Sequence, residues 1–118
     1  SFLFFSLFSI AQTNSWTGGG DGINWSDDNN WSLFVKPTST HDVKIISDAV
    51  TVDAFSNCKT LEAQDAIINF ENSISVVDTA TFDAMTTINW TSGNFINLGV
   101  AINQGIIINT NPSFSNFN

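Results

Sequence analysis

From Asp42 onward, apolar and polar residues alternate in short bursts. Val43-Lys44-Ile45, Val50-Thr51-Val52, Ile74-Ser75-Val76 and Ile88-Asn89-Trp90 each carry apolar residues at their first and third positions, and each has Asp, Ser or Thr within two residues on either side. A period of two predicts short strands with one buried face. Helical spacing is not sustained anywhere. Thr60-Leu61-Glu62-Ala63-Gln64-Asp65-Ala66 is the nearest approach to it, but it is short and runs into the β-branched pair Ile67-Ile68, so it too reads as strand.

The last third adds a second rhythm. Thr91-Ser92-Gly93-Asn94-Phe95-Ile96, Asn97-Leu98-Gly99-Val100-Ala101-Ile102 and Asn103-Gln104-Gly105-Ile106-Ile107-Ile108 keep Gly third and Ile sixth, and the next six end at Phe114. An Asn-x-Gly step followed by apolar-x-apolar predicts a bend and then a strand whose first and third side chains share a face. Stacked copies would bury those side chains as one stripe, which predicts a β-solenoid with coils of roughly 20 to 25 residues. An antiparallel β-sandwich is the alternative, because its strands also recur every ~8 to 12 residues. The solenoid is favoured by the shortness of the strands and by the scarcity of Asn-Gly and Asp-Gly hairpin dipeptides: Asp21-Gly22 is the only such pair, and no strand is expected before it. A left-handed hexapeptide helix would need the six-residue phase to persist through residues 43–90, and it does not.

The segment from Trp16 to Ser32 sets Trp16, Trp25 and Trp31 among Gly, Asn and Asp. Such rings need a surface to cover, and the open end of a solenoid needs covering to stay soluble. Residues 12–41 are therefore expected to form a Trp-rich cap, with coils over 42–118. Upstream, Phe2 to Ala11 is an apolar run too short to span a bilayer, and it ends with small residues Ser9 and Ala11 at signal-peptidase spacing. Residues 1–11 are expected to be a secretory signal peptide, lacking its basic start, with cleavage between Ala11 and Gln12. The end at Asn118, in mid-pattern, reads as a truncation. No second long apolar run follows, so no membrane span is expected in the mature chain.

Charge narrows the partners. Eleven acidic residues against three Lys and no Arg give a net charge of -8, which repels nucleic acid and anionic membranes. Charged residues make up only 12% of the chain, leaving solubility largely to Asn, Ser and Thr. The single Cys58 has no partner for an internal disulfide and reads as a small buried apolar side chain.

Taken in order, the signal-like leader, Trp16-Thr17-Gly18-Gly19, Asn24-Trp25, Asn30-Trp31-Ser32, Pro37 and Asp42-Val43-Lys44-Ile45 resemble the mature N-terminus of large repetitive surface proteins of Gram-negative bacteria. Those proteins are exported by the type IX route and contain adhesin-like or pectate-lyase-like right-handed parallel β-helices. The later Gly-x-apolar-Asn-x-Gly run resembles their rungs. The resemblance implies an all-β, right-handed parallel β-helix, secreted or held at the cell surface, adhesin-like and non-catalytic, with glycans or other cell-surface molecules as partners. The N-terminal part of a β-helical polysaccharide lyase or glycoside hydrolase is the alternative. Two features depart from the pattern: the turn before Asp42 lacks the usual Gly, and no C-terminal sorting domain is present.

Candidate chemistry is sparse. Asp21, Asn24, Asp27, Asp28 and Asn29 place oxygen donors in one loop, as Ca²⁺ requires, with Asp21, Asp27 and Asp28 as the carboxylate candidates. Their spacing is not that of an EF-hand, and the same residues cap turns by bonding their own backbone. No other cofactor is expected. His41-Asp42 would suit general-base chemistry, but no Gly-x-Ser-x-Gly nucleophile accompanies it, and Asp42 reads as a turn residue. A lyase acting on acidic sugars needs cations, and only Lys36, Lys44 and Lys59 are present. A hydrolase needs two carboxylates at a set separation, and nothing in the spacing of Asp65, Glu71, Asp78 and Asp83 singles out a pair. Trp16, Trp25 and Trp31, with Trp90, could stack on sugar rings as a glycan-binding face. The competing role for the first three is the cap itself. The sequons at Asn24, Asn30 and Asn89 carry no weight in a chain of bacterial type.

Overall fold

The computed structural model describes residues 12–109. The expected signal peptide over residues 1–11 and the six-residue unit ending at Phe114 lie outside them. The described chain is built of β1 (Gln12–Ser15), β2 (His41–Ile46), β3 (Ala49–Val52), β4 (Ser56–Cys58), β5 (Thr60–Gln64), β6 (Ile67–Phe70), β7 (Ile74–Val76), β8 (Thr79–Phe82), β9 (Thr87–Trp90), β10 (Phe95–Asn97), β11 (Val100–Asn103) and β12 (Ile106–Asn109). A short 3-10 turn at Asp28–Asn30 is the one helical element among them.

All the strand pairs are parallel, and they join strands one coil apart. The result is a β-solenoid of about four turns with three faces. Sheet I runs β1-β2-β5-β8-β11, sheet II runs β3-β6-β9-β12 and sheet III runs β4-β7-β10. The antiparallel sandwich is thereby excluded. Asp42 pairs with Thr60, 18 residues on, whereas Asn69 pairs with Asn89, 20 residues on, and Asn94 donates to Ser73, 21 residues back. The coils thus run from 18 to 21 residues, some inside the roughly 20 to 25 expected from repeat lengths and others just below it, with three strands of three to six residues joined by tight bends.

Alternation places one set of side chains inside. Val43, Leu61, Ala80 and Ala101 stack from coil to coil on sheet I, and Val50, Ile68, Ile88 and Ile107 stack on sheet II. Cys58 and Val76 continue the column on sheet III. Each Val, Leu or Ile among them that is buried whole contributes on the order of 1.5–3 kcal/mol. The aromatic residues gather deeper in the stack. Phe70 lies on Trp90 with ring centroids 4.1 Å apart, and Phe95 meets both rings edge-on at 6.4 and 5.8 Å.

Each six-residue unit of the last third is one side of the triangle rather than one whole coil. Gly93, Gly99 and Gly105 fall at successive corners, just before β10, β11 and β12. The Asn-x-Gly step is a side-chain turn: Asn97 Oδ1 accepts the Gly99 N–H at 2.8 Å, and Asn103 Oδ1 accepts that of Gly105 at 3.1 Å. The glycines are required by close approach. A Cβ at Gly99 would lie 2.0 Å from the Asp78 carbonyl oxygen, and one at Gly105 would lie 2.1 Å from that of Thr86.

These corners fix the strand phase, and they reverse the expected stripe. The sixth-position residues Ile96, Ile102 and Ile108 face outward and stay exposed, while Phe95, Ala101 and Ile107 turn toward the core. A one-residue change of phase moves every side chain to the other face. The alternative turn device appears between sheets I and II, where Ser47 and Asp65 take left-handed φ values of 55° and 50°.

Substitution of Gly99 by Ala tests this corner geometry. The added methyl must displace the Asp78 backbone, so amides of β11 and β12 should lose hydrogen-exchange protection while those of β2 and β5 keep theirs. Unchanged protection in β11 would contradict the geometry.

Candidate functional site

The cap is the first place where chemistry-bearing residues converge. Its chain begins as an incomplete coil. β1 pairs with β2, and after the Gly-rich loop the backbone of Ile23–Trp25 runs along β3: Trp25 N–H donates to Thr51 O at 2.8 Å and Thr51 N–H to Ile23 O at 2.8 Å. Two sheets therefore have their N-terminal edges paired, as edge strands require.

Over this partial coil the three Trp rings close the core. Trp25 and Trp31 are wholly buried and Trp16 is 8% exposed. Trp31 meets Trp16 and Trp25 edge-on, with centroids 5.1 and 4.9 Å apart, geometry that such pairs prefer. Trp31 Nε1 donates to Trp25 O at 2.8 Å, and Trp16 Nε1 donates to Asp48 Oδ2 at 2.9 Å. Trp25 is the exception, since its buried Nε1–H has no acceptor among the described residues. None of the three offers a ring face on which a sugar could stack. Trp90 is equally closed, buried against Phe70.

Asn30 holds the loop beneath the rings. It is fully buried, and its Oδ1 accepts the N–H groups of Gly20 and Gly22 at 2.8 and 2.9 Å. Its Nδ2 donates to Asp21 Oδ1 at 2.8 Å and to Asn24 O at 2.9 Å, while its carbonyl accepts from Thr17 N at 2.7 Å. The side-chain amide is thus satisfied at both ends, as a buried polar group must be.

The carboxylates once grouped as Ca²⁺ candidates are engaged in the same way. Asp21 accepts from the backbone of Ile23 and Asn24 and from the Asn24 amide. Asp27 accepts from Asp21 N and Asn29 N, and Asp28 accepts from Lys36 N. Donors thus occupy at least one oxygen of each carboxylate, the bonding expected of turn formers. Among the described residues no group of three or more His, Cys, Asp or Glu is placed to hold a metal ion. The backbone N–H of Asn24, followed by the Asn30 amide and the Ile23 N–H, holds the Asp21 carboxyl well below its ordinary value of 3.8.

The other candidates are likewise occupied by the fold. His41 is buried, and its Nδ1 accepts the Thr38 N–H at 3.1 Å and faces Asn14 Nδ2 at 3.4 Å. Its neighbour Asp42 lies within β2 rather than in a turn and accepts from Thr60 Oγ1 at 2.7 Å. Asp65 and Asp83 do come to one corner, where Asp83 accepts from Asp65 N, Met85 N and Thr86 Oγ1. These donors, the Asp65 N–H first, hold its carboxyl below the usual range, which suits a turn former and not a general acid. Burial, with the Asp42 charge as a smaller cause, pushes the Cys58 thiol up to about 12, far from thiolate chemistry. Of the sequon residues, Asn30 is buried and Asn24 is bonded to Asp21.

One feature escaped the sequence reading. Asn69 and Asn89, facing outward at the same position of successive coils, form an amide ladder in which Asn89 Nδ2 donates to Asn69 Oδ1 at 2.8 Å. Its signal was present as two Asn residues at the third positions of Ile67–Phe70 and Thr87–Trp90, but only a known coil length aligns them. No protein-family profile, no curated protein and no solved structure matches this chain.

The cap makes two expectations measurable. Asn30→Ala removes the acceptor of the Gly20 and Gly22 N–H groups and the donor to Asp21 Oδ1 and Asn24 O, and at about 0.5–1.5 kcal/mol net per hydrogen bond should cost at least about 2 kcal/mol, read by urea unfolding with Trp fluorescence. A loss under about 0.5 kcal/mol, ordinary for a surface change, would contradict the role given to it. The second concerns acid. A carboxyl whose folded pKa lies below its free value stabilises the fold above that free value and loses its contribution as pH falls below it. Trp fluorescence should therefore report loosening of the cap as pH drops below 3.8, and Asp21→Asn should flatten that dependence. An acid transition unmoved by the substitution would count against it.

Proposed function

We propose that this chain is the N-terminal cap and first coils of a secreted or cell-surface, adhesin-like protein that works by presenting the outside of its coils to glycans or to a neighbouring cell, without catalysis. The observation that carries this reading is the division of labour in the solenoid. Asp21, Asp27, Asn30, His41, Asp42 and Asp83 are bonded into the cap, the corners and the strands, whereas the outward positions present a regular array. On sheet I that array includes Thr60, Glu62, Thr79 and Thr81, and on sheet II Thr51, Asn69, Thr87 and Asn89.

Such an array grows by one row for each added coil, which suits multivalent contact with a repetitive partner. The coil is taken as right-handed, the hand that parallel strand-to-strand connections adopt almost without exception. No helix among the described residues is long and apolar enough to cross a membrane. Export by the type IX route belongs to the same proposal and rests on the sequence resemblance alone.

The test uses the protein encoded by the complete reading frame. Intact producing cells should bind antibody raised against the cap and should lose that signal on brief external proteolysis. The purified protein should leave a panel of neutral and acidic polysaccharides unshortened. Release of new reducing ends or of unsaturated sugars would overturn the non-catalytic reading, and an epitope accessible only after lysis would overturn the surface assignment.

A further inference from the structure

The charge of the molecule is unevenly placed. Sheet II presents outward Ala49, Thr51, Ile67, Asn69, Thr87, Asn89, Ile106 and Ile108, without one ionisable group in a chain of net charge -8. Sheet I, by contrast, carries Asp42, Lys44 and Glu62 on its outer side. Carboxylates do flank sheet II, at Asp48, Asp65 and Asp83 along one edge and at Asp53 and Glu71 along the other.

Within that frame the face is amphiphilic in two parallel columns. Ile67, Thr87 and Ile106 are in register along one, and Thr51, Asn69, Asn89 and Ile108 along the other. Rows repeat at the strand spacing of about 4.8 Å. The ladder bond uses one N–H of Asn89 and the carbonyl oxygen of Asn69. Among the described residues Asn69 Nδ2, Asn89 Oδ1 and the hydroxyls of Thr51 and Thr87 have no further partner, so donors and acceptors alternate outward beside exposed Ile side chains.

We infer that the outer face of sheet II is a binding surface for an extended, uncharged polysaccharide chain. A sugar polymer offers hydroxyl groups beside apolar C–H patches at a short, regular repeat, which this face meets with amides and hydroxyls beside Ile. The carboxylates along both edges repel polyuronates and other acidic polymers, so charge selects for neutral chains. This inference rests on the glycan-contacting reading above and moves the contact from the buried Trp rings to sheet II.

Affinity electrophoresis and calorimetry of the purified chain against hydroxyethylcellulose, xyloglucan and galactomannan, with polygalacturonate as the acidic comparison, test it. At least one neutral polymer should retard the protein and polygalacturonate should not. The Asn69→Ala/Asn89→Ala variant should bind about tenfold more weakly, as expected for loss of two net hydrogen bonds. Ile67→Glu changes only an exposed position and should weaken binding similarly with an unchanged melting temperature, whereas Thr81→Asp on sheet I should leave binding as it was. Failure of every neutral polymer to bind, equal binding of polygalacturonate, or insensitivity to both sheet II variants would overturn the inference. Self-association in sedimentation that Ile67→Glu abolishes, with no glycan binding, would identify the face as a contact between copies instead. Surface exposure confirmed on cells together with any of these failures would sink this inference alone, and a protein found only inside cells would sink the reading beneath it.

Discussion

A parallel solenoid has a problem at its first coil that the coils inside the stack do not share. A strand between two coils is paired on both sides, as β5, β6, β7, β8 and β9 are, but a first coil would leave backbone groups unpaired and a column of apolar side chains open to water. In this chain that constraint is met by one loop. Its backbone pairs with β2 and β3, its three indoles cover the apolar columns, and buried Asn30 ties the Gly-rich turn under them. The regular coils above can then be built from small polar and β-branched residues, with few charges, because their end is already sealed.

The corners obey a related constraint. Where a bend brings backbone against the preceding coil, no side chain fits, and Gly99 and Gly105 stand there. Where the bend instead turns through a left-handed residue, Ser47 and Asp65 serve, with the Asp65 N–H donating in turn to Asp83. Both devices lie at the ends of the strands, and the carboxylates nearest sheet II sit at those bends. The outer faces owe their character to that arrangement as much as to the residues on them.

How much of this could be read from the sequence depends on which contacts decide each feature. The strands were legible because alternation at Val43-Lys44-Ile45 or Ile74-Ser75-Val76 is local, and the bends were legible because Asn-x-Gly forms a turn with its own backbone. The inner and outer faces of β11 and β12 were not, because Val100-Ala101-Ile102 and Ile106-Ile107-Ile108 fit either phase by pattern, and contact with Asp78 and Thr86 one coil earlier settles it. The Asp residues of the cap allowed a cation or a turn. Only the positions of Ile23, Asn24, Asn29 and Lys36 N–H groups choose between them. The Trp rings likewise fitted a lid or a sugar-stacking face until their burial was known, and the amide ladder needed a coil length before Asn69 and Asn89 could be seen as neighbours.

The central claim is that the Trp-rich segment is the zeroth coil of the solenoid and not an appended loop. Residue-resolved hydrogen exchange of the native chain tests it most directly. The amides of Trp16, Trp25 and Thr51, which donate to Lys44, Thr51 and Ile23, should be protected as strongly as those within β2 and β5 and should open together with them. Rapid exchange at Trp16 and Trp25 while β2 and β5 remain fully protected would contradict it.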